Sequence, residues 1–257
     1  MAHPGISCDR VPMSKDDEER SPGGSVIHRY EDRPRDWQPP VSEDGAAEEV
    51  EKHFQALGFE PQTVFHELVS DLVHIDVHVS NPTPDRDFYL LFTTGMSDLP
   101  MTVPEGCEEL RYAELLIGLP ASWPMSEKVL TGDAPHYWPI RILKYLARFP
   151  HDNQTWLGAG HTIPNGDPPE PFDETSKLCC AMLAPPLTLP PEGHEVRIRP
   201  DKVVNLYGVL LLHESEMTLK LAKGADALYE ALDRKKVSEI LDPTRPPATK
   251  RGLFSIF

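Results

Sequence analysis

Between positions 74 and 79 the sequence reads HIDVHV, which sets His74, Asp76 and His78 two residues apart. In an extended strand, residues at that spacing project from one face, with same-face neighbours roughly 7 Å apart. An imidazole, carboxylate and imidazole in that order suit a divalent metal, and Glu67 or Glu114 could then serve as the base of a metal-dependent hydrolase. A metal site normally takes ligands from a second element. The competing reading is therefore a polar, solvent-facing strand surface with Ile75, Val77 and Val79 packed beneath it. A second candidate is the run Thr93, Thr94, Gly95, Met96, Ser97 and Asp98, a turn at a strand end in which Gly95 takes a positive φ and Ser97 is exposed. Its Gly-Met-Ser-Asp core lacks the second glycine of a G-x-S-x-G elbow, so it reads as a binding loop or as a shape-giving turn, and not as a nucleophile.

Other chemistry-bearing residues stay scattered. His136, His151, His161 and His194 have no ligand spacing, and Gly158–His161 lacks the third glycine and the strand-to-helix setting of a dinucleotide fingerprint. Cys8, Cys107, Cys179 and Cys180 frame neither a zinc site nor a disulfide scaffold, which points to reduced thiols. Trp123, Tyr137, Trp138 and Trp156 gather around one loop-and-helix corner, as core packing or as interface anchors. Arg141, Lys144 and Arg148 form a cationic helix face, too small a footprint for nucleic acid on an acidic chain. No cofactor motif is present.

The elements that must position these groups follow from periodicity. Ala46–Leu57 spaces Val50, Phe54 and Leu57 as a helix, with acidic residues early and Gly58 as a stop. Thr63–Val69, Val73–Val79 and Phe88–Thr93 read as three strands of an antiparallel meander, and Leu110–Leu119 as a fourth strand ended by Pro120. A helix over Pro139–Phe149 carries Ile142, Leu143, Leu146 and Phe149 inward, with Pro139 at its first position. Thr155–Ile163, Leu178–Leu183 and Val196–Ile198 are shorter strand candidates. Val203–Leu212 is the most continuously apolar run and suits the centre of a sheet. Helical spacing then returns over Glu214–Ala222 and Ala225–Arg234, with Gly224 between them. The expected fold class is α+β, a mixed and largely antiparallel central sheet flanked by helices.

Composition bounds the rest. The chain has 257 residues and 28 prolines, about twice the number ordinary usage would give. Residues 1–45 hold six prolines among mixed charges and few residues that bury surface, so this segment is expected to be disordered. The formal charge is −16, of which −4 belongs to residues 1–45. The acidity thus lies mainly in the folded part, which repels phosphate backbones and attracts basic proteins. No apolar run long enough to span a bilayer and no signal peptide are seen, so a cytoplasmic, non-membrane protein is expected. Leu253, Phe254, Ile256 and Phe257 give the tail an apolar end.

Several of these segments, in this order, resemble the suppressor of fused domain: HIDVHV, FYLLFTTGMSDLPM (88–101), YAELLIGLP (112–120) with Trp123 after it, and WPIRILKYLARFP (138–150). The end of the chain, with HESEMTLKLAKGADALYEALDR and ILDPTRP, is similar to the end of single-domain bacterial members. The resemblance covers roughly 46–246, leaving 1–45 before the domain and 247–257 as a tail. It implies a suppressor-of-fused-like fold and a non-catalytic protein-binding role. Animal members resemble two-lobed clamps on an extended peptide, a grip that one lobe cannot close in the same way. Single-domain relatives have been interpreted as immunity or antagonist proteins that sequester a toxin, and the acidic surface suits a basic one. Partner-binding residues are then expected at His74, Asp76, His78, Thr94, Gly95, Met96, Ser97, Asp98, Tyr112 and Glu114. The oligomeric state stays open.

Overall fold

A computed structural model describes residues 19–30, 36–42, 45–67, 69–125 and 135–249. The first helix, α1 (Ala46–Ala56), follows from Ala46, Val50 and Phe54 sharing a buried face and from Glu48 and Glu49 in its first turn, where carboxylates meet the positive end of the helix dipole. Gly58, at φ 83°, turns the chain away. An antiparallel meander follows: β1 (Pro61–Phe65), β2 (Asp76–Ser80), β3 (Phe88–Thr94) and β4 (Ala113–Pro120).

After β4 the chain passes through α2 (Trp138–Asp152), β5 (Thr162–Pro164), β6 (Leu178–Ala184) and β7 (Glu195–Arg199) before reaching β8 (Lys202–His213). The last helices are α3 (Glu214–Lys223) and α4 (Ala225–Arg234). The sheet order is β1-β2-β3-β4-β8-β6-β5, with β7 also paired to β8. Among the strand pairs of the described residues, β4–β8 alone is parallel. The mixed, mostly antiparallel sheet flanked by helices is the expected α+β class, and β8 takes the central place its apolar run implied.

Alternation along the strands divides the interior in two. Ile75, Val77, Val79, Leu91, Leu115, Ile117, Val209 and Leu211 pack with Ile142, Leu143 and Leu146 of α2 in the main core. The opposite residues, Leu90, Phe92, Leu116, Val204 and Leu206, meet Val50 and Phe54 of α1. Farther along that face, Met182, Leu210 and Leu212 meet Leu228 and Leu232 of α4. The sheet is thus covered on both sides, which decides the fate of several polar residues below.

Boundaries shift where side chains replace ladder bonds. β1 ends at Phe65 instead of Val69, and β2 begins at Asp76 instead of Val73. The Glu67 carboxylate accepts the Ile75 N–H at 3.2 Å, and Val73 N–H bonds back to Asp71, so neither amide enters the ladder. Leu72 takes a positive φ of 64° in this connection. β4 starts at Ala113 because Glu108–Leu110 forms a 3-10 turn. β5 is confined to Thr162–Pro164 by a turn in which His161 N–H bonds Gly158. α2 continues past Phe149 to Asp152, with Pro150 buried in its last turn and Asn153 capping the Phe149 carbonyl.

Of the stretch expected to be disordered, 1–18, 31–35 and 43–44 lie outside the described residues, but 19–30 and 36–42 are bonded to the body. Gly23 N–H donates to Leu221 of α3, Tyr30 shares a hydrogen bond with Thr155, and Trp37 Nε1 donates to Ser70. A Cβ on Gly23 would fall 2.6 Å from Gly224 N, so this backbone-on-backbone contact requires glycine. At the other end, Arg245 makes two hydrogen bonds to the fully buried Glu216, which also accepts Ala248 N–H. The apolar end at 253–257 lies outside the described residues. Cys179 and Cys180 are free and buried, but Cys107 is disulfide-bonded, a correction to the expectation of reduced thiols throughout.

Candidate functional site

The polar groups with surface access converge where the β1–β2 connection meets the start of β2. Asp76 lies between two imidazoles: His66 Nδ1 is 2.9 Å from Oδ2 and His74 Nε2 is 3.0 Å from Oδ1. The other nitrogen of His74 is 2.7 Å from Ser70 Oγ, and Ser70 donates to Glu67 at 2.9 Å. Arg148 of α2 closes the chain of contacts with two bonds to the Glu67 carboxylate, 2.5 and 2.6 Å, and one to the Asp71 carbonyl. His66 is exposed, while His74 and Asp76 are half-buried. A carboxylate held between two imidazoles at a water-facing rim can take up a cation or present a fixed charge pattern.

His78 does not join them. It sits on the same side of β2 as Asp76, but that side is roofed by α1. Its ring stacks on Phe92 at 4.9 Å, Phe92 stacks on Phe54 at 3.8 Å, and Nε2 hydrogen-bonds Thr94 at 2.9 Å. Only 3% of His78 is exposed, and burial pushes its pKa down to about 4, so it is neutral. The expected His74/Asp76/His78 face is therefore corrected: the third member is His66, the residue that follows β1. Ile75, Val77 and Val79 do pack beneath, as expected.

The 93–98 turn is an interior feature. Thr93, Thr94, Met96, Ser97 and Glu114 are all buried. Glu114 accepts from Thr93 Oγ1 at 2.6 Å, from Ser97 N at 2.9 Å and from Ser97 Oγ at 2.7 Å. Burial pushes its carboxyl up to about 7 against those three bonds. Gly95 takes φ 97°, and a Cβ there would lie 1.9 Å from the His74 carbonyl, so only glycine lets the turn close on β2. Lys202, itself buried, donates to the Ser97 carbonyl at 2.6 Å and lies 4.5 Å over the Tyr112 ring. Ser97 was expected to be exposed, and the roof of packed residues overturns that. Asp98 and Tyr112 keep partial exposure, and burial raises Asp98 to about 6.

Of the ten residues expected to bind a partner, His74, Asp76, Asp98 and Tyr112 reach the surface. His78, Thr94, Gly95, Met96, Ser97 and Glu114 instead fix the backbone that carries them. Sequence reasoning missed His66 and Ser70, and it placed Arg148 outward, whereas Arg148 anchors Glu67. It also missed an apolar strip beside the cluster. Among the described residues, the exposed large hydrophobics are Tyr30, Trp37, Val41, Val69, Tyr145 and Leu187. All but Leu187 are tied to this corner. Trp37 bonds Ser70, Val41 bonds Leu72, Val69 adjoins Ser70, and Tyr30 and Tyr145 both pack edge-on against Phe149, next to Arg148.

A family model described as Suppressor of fused protein (SUFU) matches residues 71–246. Among solved structures, the chain is similar to a SUFU homologue from Neisseria gonorrhoeae, with 14% identity and a TM-score of 0.59 over 80% of this chain and 98% of that one. It is also similar to a chain of the Sufu–Fu complex, with 15% identity and a TM-score of 0.53 over 82% of this chain and 93% of that one. At such identities the likeness is one of fold. No curated protein matches at the level of sequence.

Proposed function

Because the chain belongs to the suppressor of fused family, we propose that it acts by binding another protein and carries out no catalysis of its own. The observation that carries this reading is that the exposed Trp37, Val41 and Val69 are bonded or adjacent to Ser70 and Leu72, in the connection that carries the His66–Asp76–His74 cluster. Isolated exposed apolar residues are ordinary, but a concentration of aromatic and branched side chains rimmed by polar groups is how binding surfaces are built. The fold is shared with a chain from the Sufu–Fu complex, itself a complex between proteins. Among the described residues no helix is long and apolar enough to cross a membrane.

The finer form of the proposal is an immunity or antagonist protein that sequesters a basic partner, such as a toxin. Its support is the net charge of −16, which steers basic proteins toward the surface and repels nucleic acid. The experiment compares tagged full-length chain with a Trp37→Ser, Val69→Ser double variant in lysate of the source organism, at low and moderate salt. Stoichiometric capture of one basic protein by the wild type, weakened by salt and lost in a variant with unchanged thermal unfolding, supports the reading. Equal capture by both forms would remove the strip from the interface, and no capture by either would remove the binding role.

A further inference from the structure

We propose that His66, His74 and Asp76 form a binding site for one divalent cation of the zinc class. Ser70 has one hydroxyl proton, which it donates to the Glu67 carboxylate, itself bound by two hydrogen bonds from Arg148. Ser70 Oγ must therefore accept from His74 Nδ1, 2.7 Å away, so Nδ1 carries the hydrogen. A neutral ring then has a bare lone pair at Nε2, and that nitrogen faces Asp76 Oδ1 at 3.0 Å. Two acceptors at that distance repel each other unless a positive charge is shared between them. A divalent cation placed between them supplies that charge.

Three further features favour the metal. His66 brings a second imidazole to the other oxygen of the same carboxylate, at 2.9 Å, and one ligand atom from each of the three residues lies within 4.8 Å of the others. Small side-chain rotations bring such atoms to the ~2.0–2.2 Å that zinc requires. Two imidazoles and one carboxylate suit zinc and its transition-metal neighbours, whereas magnesium and calcium prefer oxygen throughout. Behind His74, the Ser70–Glu67–Arg148 chain supplies the outer hydrogen bond that fixes the tautomer and aim of a metal-binding histidine. With three protein ligands at a water-facing rim, a fourth coordination position is open outward, to water or to a side chain from a bound protein.

The test is calorimetric titration of metal-free, full-length protein with zinc chloride at neutral pH. A parallel titration with cobalt chloride is followed by visible absorption, which reports ligand number. One equivalent should bind, with affinity weakened about tenfold or more by His66→Ala and lost in His74→Ala. His66 is exposed, so its variant keeps the fold, and thermal unfolding of each apo variant verifies this. Absence of binding, or binding undiminished in both variants, would overturn the proposal. Neither result bears on the apolar strip, so failure here is separable from failure of the protein-binding reading.

Discussion

Two carboxylate networks meet where Asp76 of β2 pairs with Thr94 of β3, and they have opposite characters. On the inner side, Glu114 is fully buried and satisfied by Thr93 and Ser97, with Lys202 holding the same turn by its carbonyl. On the outer side, Asp76 is flanked by two histidines with access to water. Residue types are nearly the same in both: a carboxylate, a hydroxyl and a cationic or ionisable neighbour. Access to solvent separates them. The inner network lies among buried residues and fixes the backbone, while the outer one is held from behind by Glu67 and Arg148 and stays open in front.

If that division is right, the largest effect on stability comes from the inner side. Glu114→Ala leaves three donors facing a cavity, at a cost of about 3–5 kcal/mol by urea unfolding. A loss below about 1 kcal/mol would mean that water reaches the turn and would break the contrast. Next in size is a pH effect at His78. Its folded pKa of about 4 lies below the ordinary 6.5, so the fold favours the neutral ring. The stability this contributes is present above pH 6.5 and is lost as pH falls toward 4. Between neutral pH and pH 4, the wild type should lose about 2–3 kcal/mol more than His78→Phe, which keeps the stack on Phe92 without a titrating group. Parallel pH curves for the two proteins would show that His78 is hydrated.

The inner network was half legible in the sequence. The order of strands, the turn at Gly95 and the central place of β8 followed from periodicity and from the resemblance of successive segments. That the turn is enclosed did not follow, because strand alternation marks two faces without saying whether a helix covers the polar one. Val50 and Phe54 marked α1 as amphipathic, but only its seating over His78 and Phe92 makes His78 an interior residue. The outer cluster failed for a different reason. Reading 63–69 as strand sent His66 and Glu67 to opposite faces and left Ser70 outside it, whereas Glu67 leaves the ladder to bind Ile75 N–H and Arg148. One signal was available: β1 pairs with β2 as Val64 with His78 and Phe65 with Val77, and continuing that register sets His66 opposite Asp76. Register is fixed by both strands together and cannot be read from either alone.

The smaller effects belong to the outer side and sharpen the comparison there. Arg148→Ala removes the cation that holds Glu67, which is itself mostly buried, and should cost roughly 1–2 kcal/mol. Because Glu67 also orders the Ile75 amide and Ser70, amide exchange at Ile75 should quicken, with the Glu114 turn unaffected. Faster exchange at Ser97 as well would show the two networks to be one.

Smallest of all is His66→Ala. Its side chain is 66% exposed and its one polar partner is Asp76, which keeps His74 on its other oxygen. Surface changes of this kind shift stability by no more than about 0.5 kcal/mol. Urea unfolding of the metal-free variant should therefore superimpose on the wild type. A loss above about 1.5 kcal/mol would mean that His66 supports the fold as Glu114 does. The outer cluster would then be a second structural network, and the exposed corner of β1 and β2 would lose its distinction from the interior turn beside it.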